Sequence, residues 1–429
     1  MLSLTIGIVI GFRTVPEFVA VPFILLSIAC IYFAFQNEVS TVLSILPYLI
    51  YTEMFIRSYV HALPYLSMQY LFIAVFGILF LQNGVNAKFH SKSAMWLVLF
   101  TLVEIVNSTR AADQNIGRSL VINTISLTVV VIWACSNVIK PIIANKCLTH
   151  IKYASIYLCG MILARYLMGD IVYSGVSSSE ATNGLAPVQI SGYLGFSSAI
   201  FFLSIMNDQK RLFKLILNIA FFGLTSIIMI LSFSRGGLYF LAVIMFLYFY
   251  YNRTQVRSYF IFLLLIPCGL LIYYYVTSTT NGLIEERYAE EGSSGRSDLI
   301  VAGWRLFISQ PLAGVGTGNF NEEIKSNQFY NRESGAHNEF VRVMAEDGII
   351  GLISYFGFFA ILFFEIIKRR KIQREYAIYF LIFFCMIVVH NGLKISLQPI
   401  LLMLAIATPS LITVKKKNVP VRVNPAVTN

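Results

Sequence analysis

The stretch HNEFVRVMAEDGIIGLISYFGFFAILFFEII, residues 337–367, changes character at Gly348. Polar and charged side chains crowd its first part, and a mostly apolar run follows from 348 to 367. A helix of about twenty residues rises roughly 30 Å, which matches the hydrocarbon core of a bilayer. The stretch therefore predicts a membrane-spanning helix with a polar group at one membrane face.

Similar apolar runs recur along the whole chain of 429 residues, which is 57% hydrophobic and 12% charged. A soluble domain carries about 25% charged residues, so the composition predicts an all-α, polytopic integral membrane protein with about 12–14 transmembrane helices. The fourteen candidate spans are 1–11, 17–36, 40–56, 66–82, 93–109, 118–138, 152–171, 187–206, 212–232, 236–251, 258–276, 348–367, 376–391 and 395–413.

The formal charge of +11 is distributed unevenly between the connections. Of the 32 Lys and Arg, 19 fall in the connections 83–92, 139–152, 207–214, 252–257 and 368–375 and in the tail after 413. These segments share one side if the spans alternate, so the positive-inside rule predicts that this side and both termini are cytoplasmic. The basic charge is thus explained by topology, and no nucleic-acid partner is expected.

One connection, residues 277–347, is far longer than the others, and loops of this length are usually functional or disordered. It divides the chain into four parts. The first eleven transmembrane helices lie within residues 1–276, the long loop is 277–347, three further transmembrane helices lie within 348–413, and a basic tail follows at 414–429. The long loop has the pattern of folded structure. Apolar residues at helical spacing predict a helix between Ser297 as N-cap and Pro311, then a Gly-rich turn, a short helix and a last helix that ends at Gly348 in a left-handed cap.

Charged residues inside spans are costly and are functional candidates by default. Each of them, taken alone, is equally well explained by snorkelling to the headgroups or by a structural ion pair, such as Glu53 with Arg57 four residues later. Their shared placement near the outer ends of the spans favours a polar cavity that opens outward under the long loop. These residues are Glu53, Arg57, Glu104, Arg110, Arg165, Asp170, Arg235 and Lys394.

The long loop adds arginines, whose planar guanidinium suits diphosphate and can neutralise a leaving diphosphate without a metal. No motif on the outer side has the spacing of metal ligands. The stretch GVGTGN at 314–319 lacks the Lys and Ser/Thr of a P-loop, so we interpret it as a connecting turn between helices. The alternative is that its backbone amides lie near a phosphate. We expect neither cofactor nor metal. The loop arginines are Arg287, Arg296, Arg305, Arg332 and Arg342.

Three histidines are predicted to face outward. His61 and His390 are interpreted as structural residues, which is the usual role of a lone histidine. His337 differs, because it opens a helix within the long loop and has arginines nearby in sequence. Positive surroundings favour the neutral imidazole, which is the form that a general base requires.

These residues resemble the bacterial O-antigen ligase and O-antigen polymerase superfamily. His337-Asn338, nine residues and then Gly348-Ile349-Ile350-Gly351 are similar to its H-[N/S/Q]-x9-G-x-x-G motif. FSRGGL at 233–238 resembles its arginine-bearing helix start, and GRSDLIVAGWRLFISQPLAGVGTGNF at 295–320 is similar to the rest of its outer loop. The resemblance spans about 120 residues in the expected order.

The resemblance implies a C-type glycosyltransferase fold and a metal-independent reaction in a bacterial inner membrane, with the catalytic loop periplasmic. Glycan would pass from undecaprenyl diphosphate to an acceptor sugar hydroxyl with inversion. His337 would serve the acceptor, and Arg235 and Arg296 would bind the donor diphosphate, with Arg287 as a second loop arginine. We assign supporting roles to Asn338, Gly348 and Arg57.

Three functions remain open from sequence. The leading one is an O-antigen ligase, whose acceptor is lipid A-core. Its close rival is a polymerase for O-antigen or capsule, whose acceptor is a lipid-linked glycan. A transporter of lipid-linked sugars is a third, disfavoured because the charge is confined to one side and to one asymmetric loop rather than to symmetric halves. Membrane lipids are partners in every case, and the sequence sets no oligomeric state.

Overall fold

The computed structural model describes residues 2–11, 17–60, 62–83, 91–173, 177, 180–182, 184–207, 212–289, 295–330, 335–369, 371–391 and 396–407. Over these residues the regular structure is helical, which confirms the predicted all-α fold. Before the long loop the helices are α1 (Leu2–Gly11), α2 (Glu17–Phe35), α3 (Val39–Tyr59), α4 (Ser67–Asn83), α5 (Ser93–Ser108), α6 (Gln114–Ser136), α7 (Pro141–Leu167), α8 (Pro187–Asn207), α9 (Leu212–Leu231), α10 (Gly236–Tyr251) and α11 (Val256–Thr279).

The long loop contains three short helices and the start of a fourth, which continues into the bundle. These helices are α12 (Leu283–Ala289), α13 (Arg296–Ser309), α14 (Phe320–Ser326) and α15 (Glu339–Ile367), and the bundle is completed by α16 (Lys371–Asn391) and α17 (Gln398–Ala407).

Each predicted span coincides with a helix, although the ends differ. Helix α7 begins at Pro141 rather than at 152, because the proline fits the first helical turn and a polar first half continues from it. Among the described residues, α3, α6, α7, α8, α9 and α15 are long and apolar enough to cross a membrane, and seven further apolar helices are shorter. The chain is therefore a polytopic membrane protein, in which helices satisfy the backbone hydrogen bonds that lipid cannot.

Small residues let several helices approach one another closely, as is usual inside membranes. Gly7 of α1 lies on the backbone of α7, where an added Cβ would collide with the Tyr157 carbonyl, and Gly195 of α8 faces Gly237 of α10 in the same way. Hydroxyl pairs such as Thr101–Thr128, at 2.7 Å, link neighbouring helices. Helix α17 lies in the centre, since all ten of its residues are buried.

The long loop has its own apolar core between α13, α14 and the start of α15. Leu299 and Leu306 of α13 pack there with Phe320, Ile324 and Val341. The predicted helices of the loop are present, so it is folded rather than extended.

Two predicted details of the long loop are wrong. The residue that precedes α13 is Gly295, with φ +78°, so Ser297 lies inside the first turn and is not the N-cap. The last loop helix does not end at Gly348 but kinks there and continues to Ile367. The φ of Gly348, 62°, is positive as expected. Its ψ of −156° lies in a backbone region that almost only glycine adopts, which differs from the conformation of a left-handed cap.

Candidate functional site

Four cationic or imidazole side chains meet where the long loop rests on the bundle. Arg235 precedes α10 and donates to the carbonyl of Arg287 in α12, while Arg296, the first residue of α13, contacts Nδ1 of His390 on the last turn of α16. Gly236 leaves room for the His390 ring, which an added Cβ at that position would strike. Helices distant in sequence thus bring the arginines that the sequence assigned to the diphosphate into one group.

His390 has a defined tautomer in this arrangement. A guanidinium can only donate, so its contact with Arg296 makes Nδ1 an acceptor and leaves the proton on Nε2. That Nε2 is buried and has no hydrogen-bond partner among the described residues. A buried donor of this kind is suited to a ligand oxygen.

Electrostatics in the group favour an anion. Burial lowers the pKa of the Arg296 guanidinium from its ordinary value, and the positive charge of Arg287 lowers it further. Two cations held close together in a partly buried place repel each other, and an anionic ligand between them would relieve that repulsion.

Tyr288 lies beside this group of side chains, and the sequence alone did not identify it as a site residue. The guanidinium carbon of Arg235 lies 5.7 Å from the centre of its ring. Burial raises the pKa of the Tyr288 hydroxyl to about 12, so the group stays protonated, and its oxygen is buried without a partner among the described residues. The only sequence indication was its position next to Arg287.

An apolar cavity of about 760 Å³ begins at Tyr288 and runs between α9, α10 and α11. Its wall includes Met229, Leu241, Leu265 and Ile272, and Glu285 lies at the same end as Tyr288. Such a cavity has the volume and the apolar lining to hold a small apolar group, and Tyr288 at its end lies beside Arg235.

His337 lies in a second cavity, of about 450 Å³, together with Arg57. The histidine is exposed and has φ +49°, and the Asn338 side chain that follows caps α15 by accepting from the amides of Phe340 (3.0 Å) and Val341 (3.4 Å). His337 is also close enough to His390 to act on it electrostatically. Polar side chains line this cavity as well, among them Ser119, Asn123, Gln189 and Asn321.

Arg57 reaches this cavity from α3. It pairs with Glu53 at 2.5 Å, as the four-residue spacing predicted, and its guanidinium lies 4.8 Å from the ring centre of Tyr65. The predicted outer charges Arg165 and Asp170 also pair, at 3.2 Å. His61, Arg332 and Lys394 lie outside the described residues.

Arg342 does not serve a diphosphate as expected, because it is buried among carboxylates. It contacts Glu104 of α5 and Glu339, donates to Glu346 at 2.7 Å, and lies 3.8 Å from Asp347. A guanidinium with this many anionic partners holds the loop to α5. Sequence reasoning missed the role because Glu104 precedes Arg342 by 238 positions.

Two other arginines also lie away from their expected places. Arg110 was expected in the outward cavity, and Arg305 was expected near a diphosphate. Arg110, which follows the end of α5, donates to the carbonyls of Ala313 (2.8 Å) and Gly314 (3.2 Å), and so fixes the Gly-rich turn. The amides of Val315 and Gly316 are bonded to carbonyls of α15, which makes the turn a connection and not a phosphate cradle. Arg305 is exposed on α13, 5.6 Å from the ring centre of Phe329.

Within the described ranges, no group of three or more His, Cys, Asp or Glu could hold a metal ion. Metal independence stays a prediction.

The fold and site define a polytopic, all-helical membrane protein that carries a cationic group beneath a folded loop. Residues 219–356 match a family model described as O-Antigen ligase. This match confirms the predicted resemblance to the O-antigen ligase and polymerase superfamily, and it supports an enzyme with ligase-like or polymerase-like function. The matched segment contains Arg235, Arg287, Arg296 and His337, whereas Arg57 and His390 lie outside it. No curated protein sequence matches the chain.

Proposed function

We propose that the protein transfers glycan from undecaprenyl diphosphate to a sugar hydroxyl at the outer face of a bacterial inner membrane, and that it is an O-antigen ligase with lipid A-core as acceptor. The observation that carries the proposal is that Tyr288, which lines one end of the apolar cavity, lies beside Arg235 of the arginine group. A polyprenyl diphosphate has a hydrocarbon chain joined to an anionic head. The apolar cavity would match the chain, and the arginine group would match the head.

The donor would lie with its prenyl chain between α9, α10 and α11. Its diphosphate would be held by Arg235, Arg287 and Arg296, with the Tyr288 hydroxyl and His390 Nε2 as further donors. Bidentate guanidinium contacts suit phosphate oxygens, and partial burial makes them stronger than in water.

The acceptor would enter the cavity that contains His337. The imidazole takes the proton of the acceptor hydroxyl as its oxygen attacks the anomeric carbon, and the bond from that carbon to the phosphate oxygen breaks. The electron pair leaves with the diphosphate, where the arginines stabilise the charge. Attack opposite the leaving group inverts the anomeric configuration.

A strain that lacks the protein tests which acceptor is used. Loss of long-chain glycan from lipopolysaccharide, with carrier-linked polymer retained, is the outcome expected for a ligase. Lipopolysaccharide that carries a single repeat unit would instead show a polymerase. In proteoliposomes, movement of lipid-linked donor across the membrane without transfer would contradict both and indicate a transporter.

Metal independence is tested on the purified protein. Because cations of the protein replace a metal in this proposal, treatment with a chelator such as EDTA should leave the transfer rate unchanged. A loss of transfer that added Mg²⁺ or Mn²⁺ restores would refute this part of the proposal.

A further inference from the structure

Helix α13 has apolar side chains on both of its long faces. One face, which includes Leu299, Ala302 and Leu306, is buried in the core of the loop. The other exposes Ile300, Trp304 (52% exposed) and Ile308 (60%), and Leu312 (70%) extends it beyond the helix end. A helix that faced water would carry polar residues on this side, so the exposed face requires an apolar environment.

Both ends of α13 are fixed at the level where spanning helices end. At its start, Arg296 contacts His390 on the last turn of α16. Just after its end, the carbonyls of Pro311 and Leu312 accept from the amides of Ile349 (2.8 Å) and Ile350 (3.5 Å), where the apolar part of α15 begins. The helix has 14 residues and is about 20 Å long, so it runs along the membrane surface between two spans.

The exposed face continues directly into a lipid-facing surface. Ile350 (51% exposed), Ile353 and Phe356 point outward from α15, and only 33% of the most apolar stretch of that helix is buried. Leu312 joins the two surfaces through its bond to Ile350. A surface continuous with lipid-exposed residues at the same depth is covered by the same lipid.

We propose that α13 is an interfacial helix that rests in the headgroup region of the bilayer on Ile300, Trp304, Ile308 and Leu312. Tryptophan is well suited to this depth, and a helix that buries one apolar stripe in lipid gains stability in proportion to the area covered. If the proposed function holds, the bilayer itself sets the height of Arg296, which then meets the diphosphate of a lipid carrier at the depth of its phosphates.

Trp304 is a built-in probe of this contact. The protein and the W304F variant are reconstituted in phosphatidylcholine vesicles, and the difference between their emissions isolates Trp304 without altering Trp96 or Trp133. Lipid brominated near the headgroup should quench most of this difference in emission. Lipid brominated near the acyl terminus should quench less of it, and acrylamide dissolved in the water should quench little of it.

A matched control places a tryptophan on the exposed position Glu322 of α14, as E322W in the W304F background, where acrylamide should quench and brominated lipid should not. Quenching of Trp304 by acrylamide as strong as in this control would overturn the inference. Protection from both quenchers, with a dimer detected by light scattering, would show that a second copy covers the face and would also overturn it. The measurement does not depend on activity, so it is independent of the proposed reaction.

Discussion

Arg296 and His390, separated by 94 positions in sequence, are in direct contact through Nη1 and Nδ1. The contact joins the first residue of a loop helix to the last turn of a spanning helix. It orients the guanidinium and leaves the Nε2 proton of the histidine beside Gly236. In the proposed function His390 would therefore position the donor arginine as well as donate to the diphosphate, although a lone histidine in a sequence is usually structural.

His390→Ala should raise the KM for the lipid-linked donor by about tenfold to a hundredfold and change kcat little, since a charge-assisted hydrogen bond contributes about 1.5–3 kcal/mol. The measurement is transfer rate against donor concentration. His150→Ala is the matched control, because His150 bonds to Tyr48 within the bundle, away from the arginines. A fall in kcat with unchanged KM would contradict the positioning role.

His337→Ala should reduce kcat by about 10²–10⁴-fold, the usual contribution of a general base, while donor binding stays nearly intact. Single-turnover transfer gives the rate, and binding of labelled donor to the purified variant gives the affinity. Transfer at the native rate would remove His337 as the base, and lost donor binding would place it in the donor site.

Arg235→Ala and Arg296→Ala should each weaken donor binding by about tenfold to a hundredfold, since hydrogen bonds to charged groups contribute about 1.5–3 kcal/mol. Lysine at either position should restore only part of the affinity, because the planar fork is lost. Arg305→Ala is the control from the same helix as Arg296, and it should bind donor normally. Equal donor affinity in all three alanine variants would discredit the diphosphate assignment.

Arg342→Ala should lower the free energy of unfolding by about 3–5 kcal/mol, because it leaves buried carboxylates without their cation. Thermal unfolding in detergent measures the change. Arg165→Ala removes the partly exposed pair with Asp170 and should cost about 0–1 kcal/mol. Similar melting of both variants would show that the cluster around Arg342 does not hold the loop.

Gly348→Ala should also destabilise the protein, by at least about 1–3 kcal/mol from backbone strain. An added Cβ would lie 2.6 Å from the Leu312 carbonyl oxygen and 2.7 Å from the Gly314 nitrogen. Gly335→Ala is the control, since nothing lies within 4 Å of its added Cβ. If the two variants unfold at the same temperature, the kink at Gly348 is not required.

The parts of the fold that depend on local sequence were predictable. Hydropathy located the helices of the bundle, because an apolar stretch in lipid has no alternative to a helix, and helical spacing located α13 and α14. The predictions failed where the local conformation depends on residues that are distant in sequence. Gly348 kinks rather than caps because the Gln310–Gly314 turn packs against it and the chain must enter the bundle.

The candidate site was predictable to the same extent. Arg235, Arg296 and His337 could be chosen from motifs, and in the structure Arg296 contacts His390, whose ring lies against Gly236, the residue after Arg235. The role of Arg110 depends on distant carbonyls, and that of Arg342 depends on Glu104, although Glu339 and Glu346 stand beside Arg342 at helical spacing. The contact of His390 with Arg296 could not be predicted, because the two residues are 94 positions apart in sequence.

The ion pair between Glu104 and Arg342 also constrains how the protein is made. Translation produces the acidic partner 238 residues before the basic one. Until Arg342 emerges, Glu104 has no cation from the long loop, and a lone carboxyl at that depth disfavours a settled α5. We therefore expect α5 to reach its final packing only after the end of the loop has been synthesised.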